Sequence, residues 1–231
     1  MKSEFLRGMS HGIPISLGYL SVSFGFGIKA VSAGLSVLAS SLISATNLTS
    51  AGQAAGVDII AVGGTVIEMI LVQLTINIRY SLMALSLSQK LDRKFTLLHR
   101  LIASYGITDE IFAVCSAQKN KLTPAYMYGM ILISAFGWIT GTALGAAAGQ
   151  LLPESISSAL GIVLYGMFIA IIVPPCRKQR SVLLVVVSAA VVSILFRYVL
   201  TAVSAGFAVI ISAVIASVIG AVLFPVGEEN E

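Results

Sequence analysis

Long apolar runs dominate this sequence and predict helices that cross a membrane. Six of these runs are long enough, since a helix needs about 20 mostly apolar residues to span the hydrocarbon core of a bilayer. They cover approximately residues 12–33, 62–88, 124–148, 155–174, 181–200 and 203–225. We therefore predict an all-α fold, a polytopic bundle of about six transmembrane helices, organised as a single transmembrane domain over residues 1–231.

Two shorter apolar segments, 36–57 and 102–117, are interrupted by polar and small residues. The positions of the basic residues indicate whether these segments cross the membrane, because short cytoplasmic loops are enriched in Lys and Arg. If 36–57 crossed the membrane completely, the basic stretch 90–100 would face the outside. We therefore predict that both segments are re-entrant or broken helices, that every basic loop is cytoplasmic, and that both termini are cytoplasmic. The basic residues on which this topology depends are Lys2, Arg7, Lys90, Arg93, Lys94, Arg100, Lys119, Lys121, Arg177, Lys178 and Arg180.

Small residues indicate where two helices approach closely. Gly137, Gly141, Gly145 and Gly149 recur every four residues and so lie on one face of a helix. A row of this kind lets a neighbouring backbone come near. We interpret these glycines as a packing surface.

The composition excludes a soluble domain, because 57% of the residues are hydrophobic and 10% are charged, against about 25% charged in soluble proteins. The net charge of +4 lies mainly in loops, which indicates topology and no nucleic-acid surface. Cys115 and Cys176 form no Cys-x-x-Cys pattern, so we expect no metal site, no disulfide and no cofactor. The absence of His-Glu-x-x-His and Gly-x-Ser-x-Gly motifs argues against an intramembrane enzyme.

The segment 44–53 combines hydroxyl, amide and small side chains at membrane depth. Non-helical backbone is tolerated there only where it is buried in protein or lines a wet cavity, and discontinuous transporter helices use such backbone to bind solutes. Asn47, Ser50 and Gln53 are therefore candidate substrate-binding residues. The alternative is a short external loop with polar side chains.

The run 62–88 carries polar residues that need partners. Gln73, Asn77 and Ser81 are spaced four apart and share one helix face. Glu68 and Arg79 are separated by about 16 Å of helix rise, so they cannot pair within this helix. An ionisable group inside a membrane is a functional candidate by default. The alternative for Arg79 is an interfacial position from which its side chain reaches water.

Thr108, Asp109 and Glu110 open the second interrupted segment. Thr108 fits a helix N-cap, and acids in the first turn suit the helix dipole. Two adjacent carboxylates beside an apolar stretch also suit proton exchange. We therefore regard Asp109 and Glu110 as candidate proton-coupling residues.

Several short motifs occur here in an order that resembles the AzlC/YgaZ-type branched-chain amino-acid permease family. They are Gly34-Leu35-Ser36, Ala51-Gly52-Gln53, Asn77-Ile78-Arg79-Tyr80-Ser81-Leu82-Met83, Ser86-Leu87 and Thr108-Asp109-Glu110-Ile111-Phe112-Ala113. The resemblance covers roughly residues 10–175. Tyr80 stands where many members have His, and Ser50 stands where a glycine is frequent.

The resemblance implies export of a small hydrophobic amino acid such as valine, leucine, isoleucine or methionine. It also implies a large permease subunit in the cytoplasmic membrane that works with a small membrane subunit of the AzlD/YgaH type. We find no cytoplasmic coupling loop for an ATPase, so we expect the proton gradient to drive transport.

Together these observations predict two groups of functional residues. Asn47, Ser50, Gln53, Asn77 and Arg79 bind the substrate, whereas Glu68, Arg79, Thr108, Asp109 and Glu110 serve coupling or gating, with Arg79 pairing with Asp109 or Glu110. Two alternatives stay open. One is transport or import of a different small polar solute, and the other is a membrane scaffold subunit that transports nothing.

Overall fold

The computed structural model describes residues 2–151, 153, 155, 166, 169 and 172–225. Its helices are α1 (Lys2–Ser32), α2 (Val37–Thr46), α3 (Ser50–Ala61), α4 (Val66–Ser88), α5 (Leu97–Ser104), α6 (Asp109–Ala117), α7 (Pro124–Leu151), α8 (Arg180–Tyr198) and α9 (Ala205–Leu223). In the described part of the chain, five helices are long and apolar enough to cross a membrane, namely α1, α4, α7, α8 and α9. The predicted all-α polytopic bundle is thus confirmed. The predicted crossing at 155–174 lies largely outside the described residues.

The chain forms two compact units. The first comprises residues 1–57 and 76–164, and the second comprises residues 58–75 and 165–231.

Helices α1 and α7 form the centre of the first unit and run parallel, because Gly8 lies against Tyr126 and Gly145 lies against Phe24. The row of glycines on α7 explains how the two backbones come so close. A Cβ atom at any of Gly137, Gly141 or Gly145 would overlap backbone atoms of α1, and Gly149 faces Ile28. The predicted packing surface is therefore confirmed, with α1 as its partner.

Helices α2 and α3 form a re-entrant hairpin. The backbone leaves the helix at Asn47, with φ −142° and ψ 112°. The Gln53 side chain nevertheless donates a hydrogen bond to Ser44 Oγ, at 3.1 Å. A continuous helix would separate these two residues by about 13 Å of rise, so the chain must turn back. Ser44 also contacts Thr142 Oγ1 of α7 at 2.7 Å, which attaches the hairpin to the central helix pair.

Helices α5 and α6 form a second re-entrant hairpin. The chain just before α5 and the chain just after α6 lie side by side, because Leu91 and Leu122 form an isolated parallel bridge. Asp92 N donates to Leu122 O at 2.9 Å, and Leu122 N donates to Lys90 O at 2.9 Å. The segment 97–117 therefore enters and leaves at one end of the unit.

Basic residues hold that end together. Lys90 Nζ donates to the carbonyl of Ser116 in the last turn of α6 and to that of Gln118 just after it. Lys121 Nζ donates to Gln89 O beyond the end of α4, at 2.8 Å. Cations are favoured at helix C-termini, where the unpaired carbonyls and the dipole are negative. These lysines therefore have a structural use in addition to their value as topology signals.

In the second unit, α8 and α9 pack as an antiparallel pair. Gly220, near the end of α9, lies against Val185, near the beginning of α8. Ser204 caps the N-terminus of α9, because its Oγ accepts from Phe207 N at 3.5 Å. The side chains of α8 are not buried within this structure, as expected for a helix that faces lipid or another protein.

Candidate functional site

The tips of the two hairpins and the middle of α4 line a partly open cavity of about 210 Å³ in the first unit. The α2–α3 break supplies one wall, α4 supplies the second, and the α5–α6 turn supplies the third. The lining residues are Thr46, Asn47, Leu48, Thr49, Asn77, Tyr80, Ser104, Tyr105 and Ile107. The two interrupted segments of the sequence thus share one cavity, and most of its lining residues are polar types.

A hydroxyl at the α2–α3 break connects that hairpin to α4. Thr49 Oγ1 donates to Asn77 Oδ1 at 2.9 Å, and it accepts from the Tyr80 hydroxyl at 3.3 Å. It also accepts from Gly52 N at 3.4 Å, at the start of α3. Because one proton and both lone pairs of this hydroxyl are used, Thr49 holds three parts of the cavity wall in a defined arrangement.

The two hairpins also contact each other directly. The Tyr105 hydroxyl, at the tip of the α5–α6 hairpin, donates to the carbonyl of Ala45 in the last turn of α2, at 3.0 Å. This carbonyl belongs to the group of helix C-terminal acceptors that lack partners within the helix. Because of this bond, the position of one hairpin tip depends on the position of the other.

Arg79 forms an ion pair with Asp109 at the first turn of α6. Its Nη1 lies 3.0 Å from Oδ1 and 2.8 Å from Oδ2. The guanidinium also lies over the Tyr80 ring, 5.0 Å from its centroid. Of the two acids predicted as partners of Arg79, the structure selects Asp109.

Glu110 points to a different element. One of its carboxylate oxygens lies 2.6 Å from the hydroxyl of Tyr19 on α1, and Thr108 Oγ1 lies 2.6 Å from the same hydroxyl. One hydroxyl has one proton, so Tyr19 donates to the Glu110 carboxylate and accepts from Thr108. Tyr19 was not among the residues predicted from the sequence. The signal was a phenol in the middle of an apolar helix, where its hydroxyl needs a partner.

Gln53 lies behind the cavity and does not line it. Its amide oxygen accepts from the indole N–H of Trp138 at 2.9 Å, and its amide nitrogen donates to Ser44. Trp138 in turn packs edge-on against the Tyr19 ring, with the centroids 5.2 Å apart. Gln53 is 2% exposed, so its amide joins the α2–α3 hairpin to α7. Trp138, like Tyr19, was not among the residues predicted from the sequence.

The other predicted residues are placed as follows. Asn47 and Asn77 line the cavity. Ser50 is the first residue of α3 and directly follows the cavity residue Thr49. Thr108 is buried, caps α6 as predicted by accepting from Ile111 N at 3.4 Å, and follows the cavity residue Ile107.

Glu68 belongs to the second unit. Its Oε1 accepts from Ser204 Oγ at 2.5 Å and from Gly206 N at 2.8 Å. The carboxylate therefore lies at the N-terminus of α9, where unpaired N–H groups and the helix dipole favour an anion. Within the described residues, His, Cys, Asp and Glu side chains form no group of three that could hold a metal ion.

Comparisons of the sequence with known proteins identify its family. The AzlC protein family matches residues 14–152, a stretch that includes both hairpins and the cavity. The inner membrane protein YgaZ of Escherichia coli (strain K12) is 25% identical over 186 residues, 78% of this chain and 76% of that protein. An uncharacterized membrane protein of Archaeoglobus fulgidus is 29% identical over 180 residues, 76% of this chain and 78% of that protein.

A further uncharacterized membrane protein, from Helicobacter pylori (strain 26695), is 27% identical over 176 residues, 70% of this chain and 76% of that protein. No solved structure matches the chain. The family match covers more than half of the sequence, and the apolar helices agree with the membrane-protein relatives. The chain is therefore a multi-pass membrane protein that belongs to the AzlC family.

Proposed function

We propose that this protein is a membrane transporter that exports branched-chain or other hydrophobic amino acids, namely valine, leucine, isoleucine and methionine. The observation that carries the proposal is the small cavity, lined by both polar and apolar side chains, between two re-entrant hairpins. Solute sites in many transporters are built from such discontinuous helices. Membership of the AzlC family and the membrane-protein relatives support a transporter-like role.

The size of the cavity favours a small solute. Its volume of about 210 Å³ is below the roughly 300–1,000 Å³ of pockets for drug-sized ligands. Leu48 and Ile107 add apolar surface to an otherwise polar lining. An apolar contact discriminates by only about 1–3 kcal/mol per methylene, so we expect overlapping affinity for several aliphatic amino acids.

The charges of an amino acid suit the helix ends at the cavity. Helices α2 and α5 end there and present carbonyls, which attract an ammonium group. Helices α3 and α6 begin beside it and present N–H groups, which attract a carboxylate. The amides of Asn47 and Asn77 add donors and acceptors. In this proposal Gln53 positions α2, α3 and α7 relative to one another, and Arg79 with Asp109 forms a gate at the edge of the site.

The remaining parts of the proposal concern coupling and location. The proton gradient drives export, a small membrane subunit of the AzlD/YgaH type assembles with this chain, and both termini face the cytoplasm. The lysines that join the ends of α4, α6 and α7 support a cytoplasmic position for that end, because basic loops are retained inside.

Exchange of labelled leucine and valine tests the proposal. Vesicles containing this chain, with and without the small subunit, are expected to exchange internal unlabelled for external labelled leucine. An Asn77→Leu variant is expected to lose at least about tenfold in exchange, because it removes the amide from the cavity and the acceptor of the Thr49 hydroxyl. A Ser81→Ala variant, one turn further along α4 and exposed, is the matched control.

The outcomes separate the alternatives. Exchange of another small polar solute with no exchange of leucine, valine or methionine would change the substrate. Net inward movement against a gradient would reverse the direction. A wild-type chain that exchanges nothing, with or without the small subunit, would favour a scaffold role and overturn the proposal.

For Glu68 we propose a helix-capping role in place of a coupling role. A Glu68→Gln variant keeps an oxygen that can accept from Ser204 and Gly206, so its melting temperature and the pH dependence of leucine exchange are expected to stay close to wild type. A Glu68→Leu variant leaves both donors without this acceptor, and we expect it to lose about 1–3 kcal/mol of stability. Loss of pH dependence in Glu68→Gln alone would contradict the capping role.

A further inference from the structure

The two carboxylates at the start of α6 have partners of different chemistry. Asp109 contacts the Arg79 guanidinium, whereas Glu110 contacts the Tyr19 hydroxyl. Protonating Asp109 would remove the negative charge of an ion pair and leave a cation behind. Protonating Glu110 changes only a hydrogen bond to a neutral group. The two adjacent acids are therefore unequal as places for a proton to bind.

We propose that Glu110 is the proton-binding residue of this transporter. Tyr19 is the positioning residue, whose hydrogen bonds change when Glu110 is protonated and so affect the tip of the α5–α6 hairpin. The proposal rests on the proposed function and names the site of coupling within it. Two observations support it. They are the Tyr19 hydroxyl shared between Glu110 and Thr108 and the position of Thr108 next to the cavity residue Ile107.

Proton binding reverses the direction of a short hydrogen-bond chain. With Glu110 ionised, Thr108 donates to the Tyr19 oxygen and Tyr19 donates to the carboxylate. When Glu110 takes a proton from the aqueous phase, its new O–H donates to the Tyr19 oxygen. Tyr19 then donates to Thr108 Oγ1, and the Thr108 proton turns to another acceptor. One proton is bound, no covalent bond of the side chains breaks, and the change reaches the edge of the cavity.

The surroundings of Glu110 contain few other titratable groups. Asp109 lies next to it in α6, and Arg79 of α4 compensates that charge. The neighbouring phenols are Tyr19 of α1, which bonds Glu110, and Tyr80 of α4, whose ring lies under the Arg79 guanidinium. Phenols titrate near pH 10, so between pH 4 and pH 8 a transition in this cluster belongs to a carboxyl.

The protein contains a natural fluorescence probe for this site. Its sequence has one tryptophan, Trp138, and the ring of that residue packs against the Tyr19 ring. A change in the Tyr19 hydrogen bonds therefore occurs beside the only indole of the chain. The fluorescence of Trp138 is expected to depend on the protonation of Glu110, whether or not a substrate is present.

The test titrates Trp138 fluorescence from pH 4 to pH 8 for the full chain in phosphatidylcholine vesicles. Wild type is expected to show one carboxyl transition, and Glu110→Gln is expected to lose it. Tyr19→Phe keeps the ring and removes the donor to the carboxylate, so the transition is expected to move up by about one pH unit. The control Tyr128→Phe removes a hydroxyl that bonds His99 instead and should titrate as wild type does.

The Asp109→Asn variant tests which of the two carboxylates gives rise to the transition. It removes a neighbouring negative charge and leaves the Arg79 cation, so the transition is expected to persist at lower pH. Loss of the transition in Asp109→Asn with retention in Glu110→Gln would overturn the proposal, and so would a wild type that shows no transition.

Transport measurements in the same vesicles distinguish a failure of the proton-site proposal from a failure of the proposed function. Glu110→Gln is expected to keep leucine exchange within about threefold of wild type while losing the stimulation of net flux by a pH gradient. A wild type that titrates but exchanges no amino acid contradicts the proposed function and not the proton site. A Glu110→Gln variant with wild-type stimulation contradicts the proton site alone.

Discussion

A Gly145→Val variant is expected to yield little folded protein. A Cβ atom at Gly145 would overlap the carbonyl group of Phe24, so α1 and α7 would have to separate. Overpacking a core commonly costs about 1–3 kcal/mol where side chains can adjust, and a larger cost is expected here because backbone atoms are in the way. Size-exclusion profiles and thermal melting of the detergent-solubilised protein measure the effect.

Gly18→Val is the matched control for this change. Gly18 also lies in a long helix of the first unit, but a Cβ atom added there meets no atom within 4 Å. We expect its stability to stay within about 0.5 kcal/mol of wild type, as for most exposed substitutions. Equal melting temperatures for the Gly145 and Gly18 variants would contradict the close packing of α1 against α7.

An Arg79→Gln variant is expected to reduce leucine exchange by at least about tenfold while changing thermal stability little. The Arg79 and Asp109 side chains are 43% and 44% exposed, and an ion pair of this exposure contributes only about 0.2–1 kcal/mol. Its removal frees the first turn of α6 at the edge of the cavity. A large loss of transport with a small change in melting therefore identifies a gate, not a structural contact.

Two further variants sharpen this test. Arg100→Gln removes an exposed basic residue from α5 and should leave exchange near the wild-type level. The double variant Arg79→Gln with Asp109→Asn should be no worse than Arg79→Gln alone, because the two residues act through one contact. If Arg79→Gln exchanges leucine as well as Arg100→Gln does, Arg79 has no part in gating.

The two hairpins show which structural features local sequence patterns predict and which they do not. Thr108 was recognisable as an N-cap because its side chain acts on a backbone N–H three residues away. The break at Asn47 was recognisable because polar residues accumulate within an apolar run. The bond from Gln53 to Trp138 joins residues 85 positions apart in sequence, and no local pattern records such a pairing. The sequence pattern therefore made Gln53 a substrate-binding candidate, whereas its position behind the cavity and against Trp138 follows from the tertiary structure alone.

The sequence by itself determined that the chain crosses a membrane with helices, which segments are interrupted, and which face of α7 packs closely. These properties depend on apolar length, on helical periodicity and on basic loops, all of which are local. Only the tertiary structure decided that Arg79 pairs with Asp109, that Glu110 pairs with Tyr19, and that Glu68 caps α9. Adjacent residues on a helix point about 100° apart, so Asp109 and Glu110 face different neighbours, and the fold decides which neighbours those are.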